Sequence, residues 1–173
     1  MKRMQAIAAA ILVTFWASAA CMGQGEEAKA ILRDANGREV GQTTLTERPG
    51  GIRIQMDLRG LPPGVHAFHI HEAGRCDPPD FKSAGGHFNP EGRQHGRKNP
   101  LGSHAGDLPN ILVDPDGTAS LDVLAEGVTL GPGDFSLFKP GGTSLVIHAS
   151  ADDDVTDPAG NAGARIACGV IKR

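Results

Sequence analysis

Histidines spaced two residues apart are the first sign of chemistry in this chain. His69 and His71 lie within residues 64–72, and alternate side chains of a β-strand point to the same side. The two imidazoles are therefore predicted to project from one side of a strand, where both can bind a single metal ion. The alternate residues are predicted to face the core: His66, Phe68 and Ile70.

Four further histidines extend this candidate site: His87, His95, His104 and His148. Three of them fall, with Asp107, in a long stretch rich in glycine, proline and polar residues, from residue 73 to about 110. A lone histidine is more often a hydrogen-bonding residue than a metal ligand. Scattered histidines, however, do not usually alternate on a strand or gather in one loop. We therefore predict one constellation that joins all seven histidines to Asp107, Asp152 and Arg165.

The types of these side chains point to copper and zinc. Imidazole nitrogens in a tetragonal set favour Cu(II), and three imidazoles with one carboxylate in a tetrahedron suit zinc. The zinc composition is that of one group: His87, His95, His104 and Asp107. The copper composition, one nitrogen short, is that of another: His69, His71 and His148. His87 could supply the missing ligand because an imidazole has two nitrogens, but spacing alone leaves that sharing open.

The composition favours a single β-rich domain. A chain of 173 residues can bury a sizeable core. Its 24 glycines and 12 prolines are typical of a protein with many turns. The formal net charge is −3. Without Lys2 and Arg3, 15 of the 17 basic residues remain against 20 acidic ones, a net charge of −5, so nothing indicates a nucleic-acid partner.

Alternation and turn signals predict about eight short strands and no helix. Their predicted bounds are 29–34, 38–47, 52–58, 64–72, 111–114, 118–124, 143–148 and 165–171. Asn36-Gly37 is a strong hairpin signal between the first two strands. The fold class is predicted to be all-β, an eight-stranded antiparallel Greek-key barrel or sandwich with two long functional loops.

Long loops are predicted at three places: residues 73–110, 126–142 and 149–164. A loop as long as the first is unusual in a compact domain unless something orders it. Metal coordination by its histidines could supply the ordering free energy that a hydrophobic core does not. Three apolar residues of the second loop are predicted to fill the core: Phe135, Leu137 and Phe138.

Residues 1–20 have the pattern of an export signal. Lys2 and Arg3 precede an apolar run at residues 6–16, which is too short to span a membrane comfortably, and small residues follow it. Residues 21–28 are then predicted to be a tether that leads to a domain at residues 29–173. The alternative is a cytosolic protein with an apolar N-terminal helix.

The three cysteines suit an exported protein. Cys76 and Cys168 are a candidate disulfide pair, since disulfides persist in oxidising compartments, and Cys21 is left over. Cys21 follows a run of small residues, the position at which bacterial lipoproteins carry their lipidated cysteine. Ser18, however, stands where an aliphatic residue is usual. Lipidation of Cys21 and simple cleavage after residue 19 or 20, which leaves a free thiol, both stay open.

Four segments resemble the copper/zinc superoxide dismutases of the exported bacterial kind: residues 64–72, 85–90, 104–108 and 160–171. The resemblance extends from about residue 29 to the end of the chain. It implies a periplasmic enzyme with superoxide as its small-molecule substrate. In this family Cu(II) oxidises one superoxide to oxygen, Cu(I) reduces a second to hydrogen peroxide, and no protein residue acts as a nucleophile.

The resemblance also implies a role for each site residue. The implied copper ligands are His69, His71, His87 and His148. The implied zinc ligands are His87, His95, His104 and Asp107. His87 would be the bridging imidazolate, which leaves copper on reduction and takes up a proton. Asp152 would link a copper histidine to a zinc histidine, since a carboxylate that accepts from the far ring nitrogen fixes the ring.

Four other residues receive roles from the same resemblance. Cys76 and Cys168 would form the family disulfide, and His66 would be a structural histidine beneath the copper strand. Arg165 would lie at the mouth of the copper channel, where a local positive charge can focus the approach of superoxide to an acidic protein. The alternative for Arg165 is a surface salt bridge with one of the acids at 152–154.

Some features depart from the family pattern or leave alternatives. The 149–164 loop is shorter than in the animal enzymes and contains no lysine, so how much of the lysine-based steering of those enzymes survives here stays open. The segment 75–82 also differs, and both a monomer and a homodimer stay open.

The main rival function is a non-catalytic periplasmic copper/zinc-binding protein of the same fold. A zinc hydrolase would need an open zinc position, whereas this zinc group is closed by four protein ligands.

Overall fold

Nine β-strands form the fold in the computed structural model, which describes residues 26–173. They are β1 (Glu27–Asp34), β2 (Glu39–Arg48), β3 (Gly51–Leu58), β4 (Gly64–His66), β5 (Phe68–His71), β6 (Ile111–Val113), β7 (Ala119–Glu126), β8 (Ser144–His148) and β9 (Arg165–Val170). A 3-10 turn at Lys82–Ala84 is the one helical element of this range, and no helix in it is long and apolar enough to cross a membrane.

The predicted export signal, Cys21 and most of the predicted tether lie outside the described residues. β1 begins at Glu27, so the first strand includes the last two residues of the segment predicted as a tether. The other strand ends fall within two residues of their predicted positions, apart from the histidine strand.

The strands form a curled antiparallel sheet, which confirms the predicted fold class. Seven strands pair in the order β5-β8-β9-β1-β2-β3-β7, and β4 pairs with β6. After β3 the chain crosses to β4 and β5 at the far edge, and it returns to place β7 beside β3, which is a Greek-key connection. The curl closes because β5 follows directly after β4, and β6 contacts β7.

The histidine strand is divided in two at Ala67. β4 pairs with β6, whereas β5 pairs with β8. Ala67 lies in neither ladder, because its N–H donates to the Ser150 carbonyl at 2.8 Å and its carbonyl accepts from the His148 N–H at 2.9 Å. The strand predicted as one element therefore changes partners at this residue, and nine strands result where about eight were predicted.

Alternation puts one face of each strand in the core. On β3, Ile52, Ile54, Met56 and Leu58 are buried, and the residues between them are more exposed. On β5, Phe68 and Ile70 belong to the same core cluster. Of the three loop residues predicted to fill the core, Leu137 is fully buried, Phe138 is partly buried against the core, and Phe135 is partly buried but lies outside the core cluster.

The outer edge of β5 is covered by the loop that follows it. The Phe88 N–H donates to the Ile70 carbonyl at 2.9 Å, and the Ile70 N–H donates to the Gly106 carbonyl at 2.9 Å. Gly106 must lack a side chain, since a Cβ there would collide with the Ile70 carbonyl oxygen. This pairing places His87 opposite His71 and Asp107 opposite His69.

The second functional loop is fixed at both ends by the sheet. It joins β8 to β9, and the residues at its two ends, His148 and Arg165, are direct partners in the β8–β9 register. Further bonds inside the loop run from the Ala149 N–H to the Ala164 carbonyl and from the Ser150 N–H to the Ala162 carbonyl. Residues 149–164 therefore form a closed loop over the end of the barrel that carries the histidines.

Candidate metal centre

Four imidazoles converge at the outer face of β5: His69, His71, His87 and His148. β5 supplies two of them, the loop after β5 supplies the third, and the end of β8 supplies the fourth. Their candidate ligand atoms all lie within 4.8 Å of one another, and all four residues are buried. We call this set the four-imidazole group.

The free nitrogens of this group fit a bound metal ion. His69 Nδ1 and His87 Nε2 are buried and have no hydrogen-bond partner among residues 26–173. A buried polar atom without a partner costs free energy. His71 Nε2 and His148 Nε2 lie 3.4 Å apart, while the Nδ1 atom of His71 lies 3.0 Å from the Gly85 carbonyl oxygen. One ion at the centre would satisfy these inward nitrogens, and all-imidazole ligation suits copper.

A second group surrounds one carboxylate oxygen. Asp107 Oδ1 lies 2.8 Å from His87 Nδ1, 3.0 Å from His95 Nδ1 and 3.3 Å from His104 Nδ1. Metal–nitrogen bonds of about 2.0 Å in a tetrahedron separate the ligands by about 3.3 Å. The His87 and His104 Nδ1 atoms are 3.3 Å apart. This one-carboxylate group therefore has the donors and the spacing of a tetrahedral zinc site.

His87 belongs to both groups. Its Nδ1 atom faces Asp107, its Nε2 atom is buried without a hydrogen-bond partner in the described chain, and the residue stands in both sets of candidate ligands. This geometry fits the sharing that spacing left open, because the ring offers a second nitrogen besides the one that faces Asp107.

Asp152 joins the two groups a second time. Its Oδ2 atom accepts from His69 Nε2 at 2.7 Å, and its Oδ1 atom accepts from His95 Nε2 at 3.0 Å. Each ring therefore has its far nitrogen bound to a carboxylate and its Nδ1 atom directed at a metal group. A carboxylate in this position fixes the tautomer and orientation of a ligand ring.

Burial keeps three rings of the four-imidazole group, those of His71, His87 and His148, in their ligating form. It lowers the pKa of His148 to about 3 and that of His87 to about 4, and the charges of neighbouring histidines act in the same direction. Burial also holds the pKa of His71 well below its usual value. At neutral pH these rings are unprotonated, and a lone pair is available for a metal ion.

In the one-carboxylate group, neighbouring acids raise the pKa of a histidine instead of leaving it lowered by burial. Burial alone would lower the pKa of His95, but hydrogen bonds to Asp107 and Asp152 outweigh it and raise the pKa to about 10. Burial likewise favours the neutral form of Asp107, yet hydrogen bonds from His104, His87 and His95 hold its pKa well below the usual range. Asp107 is therefore an ionised carboxylate at any physiological pH, as metal ligation requires.

Arg165 is held beside the four-imidazole group by two backbone carbonyls. One guanidinium nitrogen donates to the Phe81 carbonyl at 2.8 Å and the other to the Gly85 carbonyl at 2.7 Å. Within residues 26–173 it forms no salt bridge, so the predicted alternative of an ion pair with the acids at 152–154 is not observed. Arg165 lines a cavity of about 360 Å³, which His71, His87 and His148 also line.

His66 lies beneath this group, on the core side. Its two ring nitrogens each lie 2.8 Å from a carbonyl oxygen, that of His148 and that of Pro62. It is buried and takes no part in either metal group. Its contacts instead fix the backbone that carries His148.

A disulfide joins Cys76 to Cys168, the pair that the sequence indicated. Cys168 lies on β9, three residues after Arg165, and Cys76 lies in the loop that supplies the Phe81 and Gly85 carbonyls. The crosslink therefore ties the strand that carries the guanidinium to the loop that holds it.

Some contacts of the site were not predicted from the sequence. Asp157 accepts from the His95 N–H at 2.6 Å. Gly160 lies against the Asp152 carboxylate, with φ +60°, and a Cβ there would collide with Asp152 Oδ1 and lie 2.8 Å from His95 Nε2. Gly160 is the first residue of segment 160–171, which resembles a known family, but the resemblance assigned no role to this glycine.

We expect Gly160→Ala to weaken metal binding by the one-carboxylate group at least tenfold, because the methyl group would displace Asp152 from His95. The measurement is metal affinity by competition with a chelator. Gly92→Ala is the matched control, since Gly92 has φ +65° and an added Cβ there meets nothing within 4 Å. It should cost about 1–2 kcal/mol of stability from backbone strain and leave metal affinity unchanged. Equal affinities in the two variants would contradict the role given to Gly160.

A family model described as copper/zinc superoxide dismutase (SODC) matches residues 39–171. The chain is 50% identical over 174 residues to superoxide dismutase [Cu-Zn] 2 of Aquifex aeolicus, with 99% of this chain and 100% of that relative covered. It is 45% identical over 148 residues to superoxide dismutase [Cu-Zn] of Caulobacter vibrioides, with 84% and 85% covered.

Solved structures show the same similarity. A SOD-like protein from Bacillus subtilis, crystallised as a double mutant, superposes with a TM-score of 0.80 at 42% identity, over 82% of this chain and 95% of that one. Cu/Zn superoxide dismutase from Brucella abortus superposes with a TM-score of 0.67 at 32% identity, over 84% and 99%.

Proposed function

The chain belongs to the copper/zinc superoxide dismutase family, and from this premise we propose which of its residues carry the family's reaction. Its function is the dismutation of superoxide, in which two superoxide anions become oxygen and hydrogen peroxide. It is an oxidoreductase with copper and zinc as cofactors.

The proposed copper ligands are those of the four-imidazole group: His69, His71, His87 and His148. The proposed zinc ligands are those of the one-carboxylate group: His87, His95, His104 and Asp107. The observation that carries this proposal is the position of His87, whose two ring nitrogens face the two groups. Copper, when bound, supplies the exchange of single electrons between Cu(II) and Cu(I), and zinc supplies a fixed positive centre.

Arg165 is the proposed binding residue for the anion. Arg165 is partly buried, and its guanidinium is fixed by the Phe81 and Gly85 carbonyls, so it presents a positive charge at a constant position. The cavity that it lines also reaches three of the proposed copper ligands. A local positive charge in such a cleft raises the concentration of an anionic substrate even when the protein as a whole is acidic.

His87 Nε2 is the proposed carrier of the proton that the product needs. This atom has no hydrogen-bond partner in the described chain, while the Nδ1 atom of the same ring is held by Asp107. The ring can therefore keep its position through Nδ1 while a proton is taken up and released at Nε2. Hydrogen peroxide formation consumes protons, so a proton at the edge of the substrate cavity is useful there.

A non-catalytic metal-binding role is not favoured. Storage or delivery of a metal does not require a fixed arginine in the cavity beside the metal ligands, and Arg165 lines the cavity that His71, His87 and His148 also line. The one-carboxylate group is also closed by four protein donors, whereas a hydrolytic zinc site keeps a position open for water.

We expect the protein reconstituted with copper and zinc to accelerate superoxide decay toward the diffusion ceiling of about 10⁹ M⁻¹s⁻¹. The measurement is the superoxide decay rate, with a zinc-only sample as the comparison. His148→Ala should abolish the acceleration and leave zinc bound, because His148 belongs only to the four-imidazole group. Copper confirmed as bound without any acceleration would reject the enzymatic function, and equal loss of both metals from His148→Ala would contradict two separate ligand groups.

We expect Arg165→Ala to lower the rate about tenfold or more at low ionic strength and to weaken its dependence on salt, because the charge that focuses the anion is lost. Copper content should stay unchanged. The matched control is Arg53→Ala, which removes one positive charge from the outer side of β3, where Arg53 pairs with Asp122. An unchanged rate for Arg165→Ala at low salt would remove Arg165 from the mechanism.

We also propose that residues 1–20 direct export to the periplasm and that the mature chain begins near Cys21. The support is the sequence pattern of residues 1–20 together with the Cys76–Cys168 disulfide, a bond that persists in oxidising compartments. Lipidation of Cys21 is the finer proposal, and it would anchor the domain to a membrane.

Mass spectrometry of the mature N-terminus tests both proposals. We expect a chain that begins at residue 20 or 21, and acyl mass on Cys21 if it is lipidated. The same start without added mass would reject the anchor and keep export, whereas a mature chain that retains residues 1–20 would reject both.

A further inference from the structure

Asp152 depends on another residue for its position. Its carboxylate bonds to His69 and His95, which belong to different metal groups. It lies in the 149–164 loop rather than on a strand, so no sheet ladder fixes its backbone. A small shift of this loop would therefore turn both rings at once.

The side chain of Asn110 holds the Asp152 backbone on both sides. Asn110 Oδ1 accepts from the Asp152 N–H at 2.8 Å, and Asn110 Nδ2 donates to the Asp152 carbonyl at 2.9 Å. Across residues 26–173 no other group bonds to that N–H or to that carbonyl. One amide thus satisfies both backbone polar groups of the acid that links the two metal groups.

Asn110 is itself attached to the rigid part of the fold. It directly precedes β6, whose first residue, Ile111, pairs with His66 of β4. It also follows Asp107, the carboxylate of the one-carboxylate group, by three residues. The short segment 107–110 therefore supplies a proposed zinc ligand at one end and holds Asp152 at the other.

We propose that Asn110 is a positioning residue that fixes Asp152 at the distance from which it reaches both His69 and His95. This inference rests on the ligand groups proposed above. Asn110 belongs to neither ligand group, and it acts through Asp152. It gives the two metal groups a connection in addition to His87, because segment 107–110 carries the proposed zinc ligand Asp107 at one end and at the other holds Asp152, which bonds to the proposed copper ligand His69.

Asn89 offers a matched control with the same chemistry. Its Oδ1 atom accepts from the Arg93 N–H at 3.0 Å, and its Nδ2 atom donates to the Arg93 carbonyl at 2.8 Å. Arg93 forms no hydrogen bond to any histidine of the metal groups, and its side chain pairs with Glu91. Loss of either asparagine therefore removes the same pair of bonds, but only Asn110 holds Asp152.

The experiment compares Asn110→Ala, Asn110→Asp, Asn89→Ala and the unaltered chain, each loaded with copper and zinc. Zinc affinity is measured by competition with a chelator, and the copper environment by the electron paramagnetic resonance spectrum of Cu(II). We expect Asn110→Ala to weaken zinc binding about tenfold. This loss is near the lower end of the range of affinity losses seen when residues that orient metal ligands are replaced. Its Cu(II) spectrum should also shift because His69 loses its orientation. Asn89→Ala should change neither quantity.

Asn110→Asp covers the case in which the alanine variant does not fold. It keeps the size of the side chain and an acceptor for the Asp152 N–H, but it loses the donor to the Asp152 carbonyl, so zinc affinity should again fall. Unchanged zinc affinity and an unchanged Cu(II) spectrum in the folded Asn110 variants would overturn the inference. Failure of the unaltered chain to bind copper and zinc at two sites would instead overturn the proposed ligand groups.

Discussion

The pairing between the outer edge of β5 and the loop after it is the interaction on which the metal groups depend. Ile70 exchanges backbone hydrogen bonds with Phe88 and Gly106, and this contact puts residues of a long irregular loop in register with a strand. His87 and Asp107 come to lie beside His71 and His69 for that reason. The same contact covers a strand edge that would otherwise be free to pair with another chain.

Around this edge, most buried polar groups have a partner. His69, His95 and His66 direct ring nitrogens at a carboxylate or at backbone carbonyls, and the nitrogens that remain unpartnered point into the metal groups. Burial of an unpaired polar group is costly, so the apparent defects mark where an ion binds. The buried imidazoles of His71, His87 and His148 keep their lone pairs at neutral pH, and the carboxylates of Asp107 and Asp152 stay ionised. These groups are therefore in the form that binds cations before any cation binds.

Much of this could be predicted from the sequence, because strands and ligands leave local signals. Alternation identified β3 and the two faces of β5, and the residue types indicated the disulfide pair and the two sets of side chains that lie together in the structure. The break at Ala67 could not be found, since its cause is a set of bonds to Ser150 and His148, far along the chain. Asn110 had no signal either, because an asparagine before a strand is ordinary and its partner Asp152 is 42 residues away. Contacts through single backbone groups at long range leave no pattern in composition or spacing.

The register of β8 and β9 has a consequence for how this enzyme can vary among its relatives. His148 and Arg165, at the two ends of the 149–164 loop, are cross-strand partners, so their separation is set by the sheet and not by the loop between them. Changes at Pro158 and Ala159, the loop residues that line the cavity, can alter its rim while His148 and the Arg165 guanidinium keep their distance. Asp152 and Gly160 of the same loop do not have this freedom, because they contact the histidines of the metal groups.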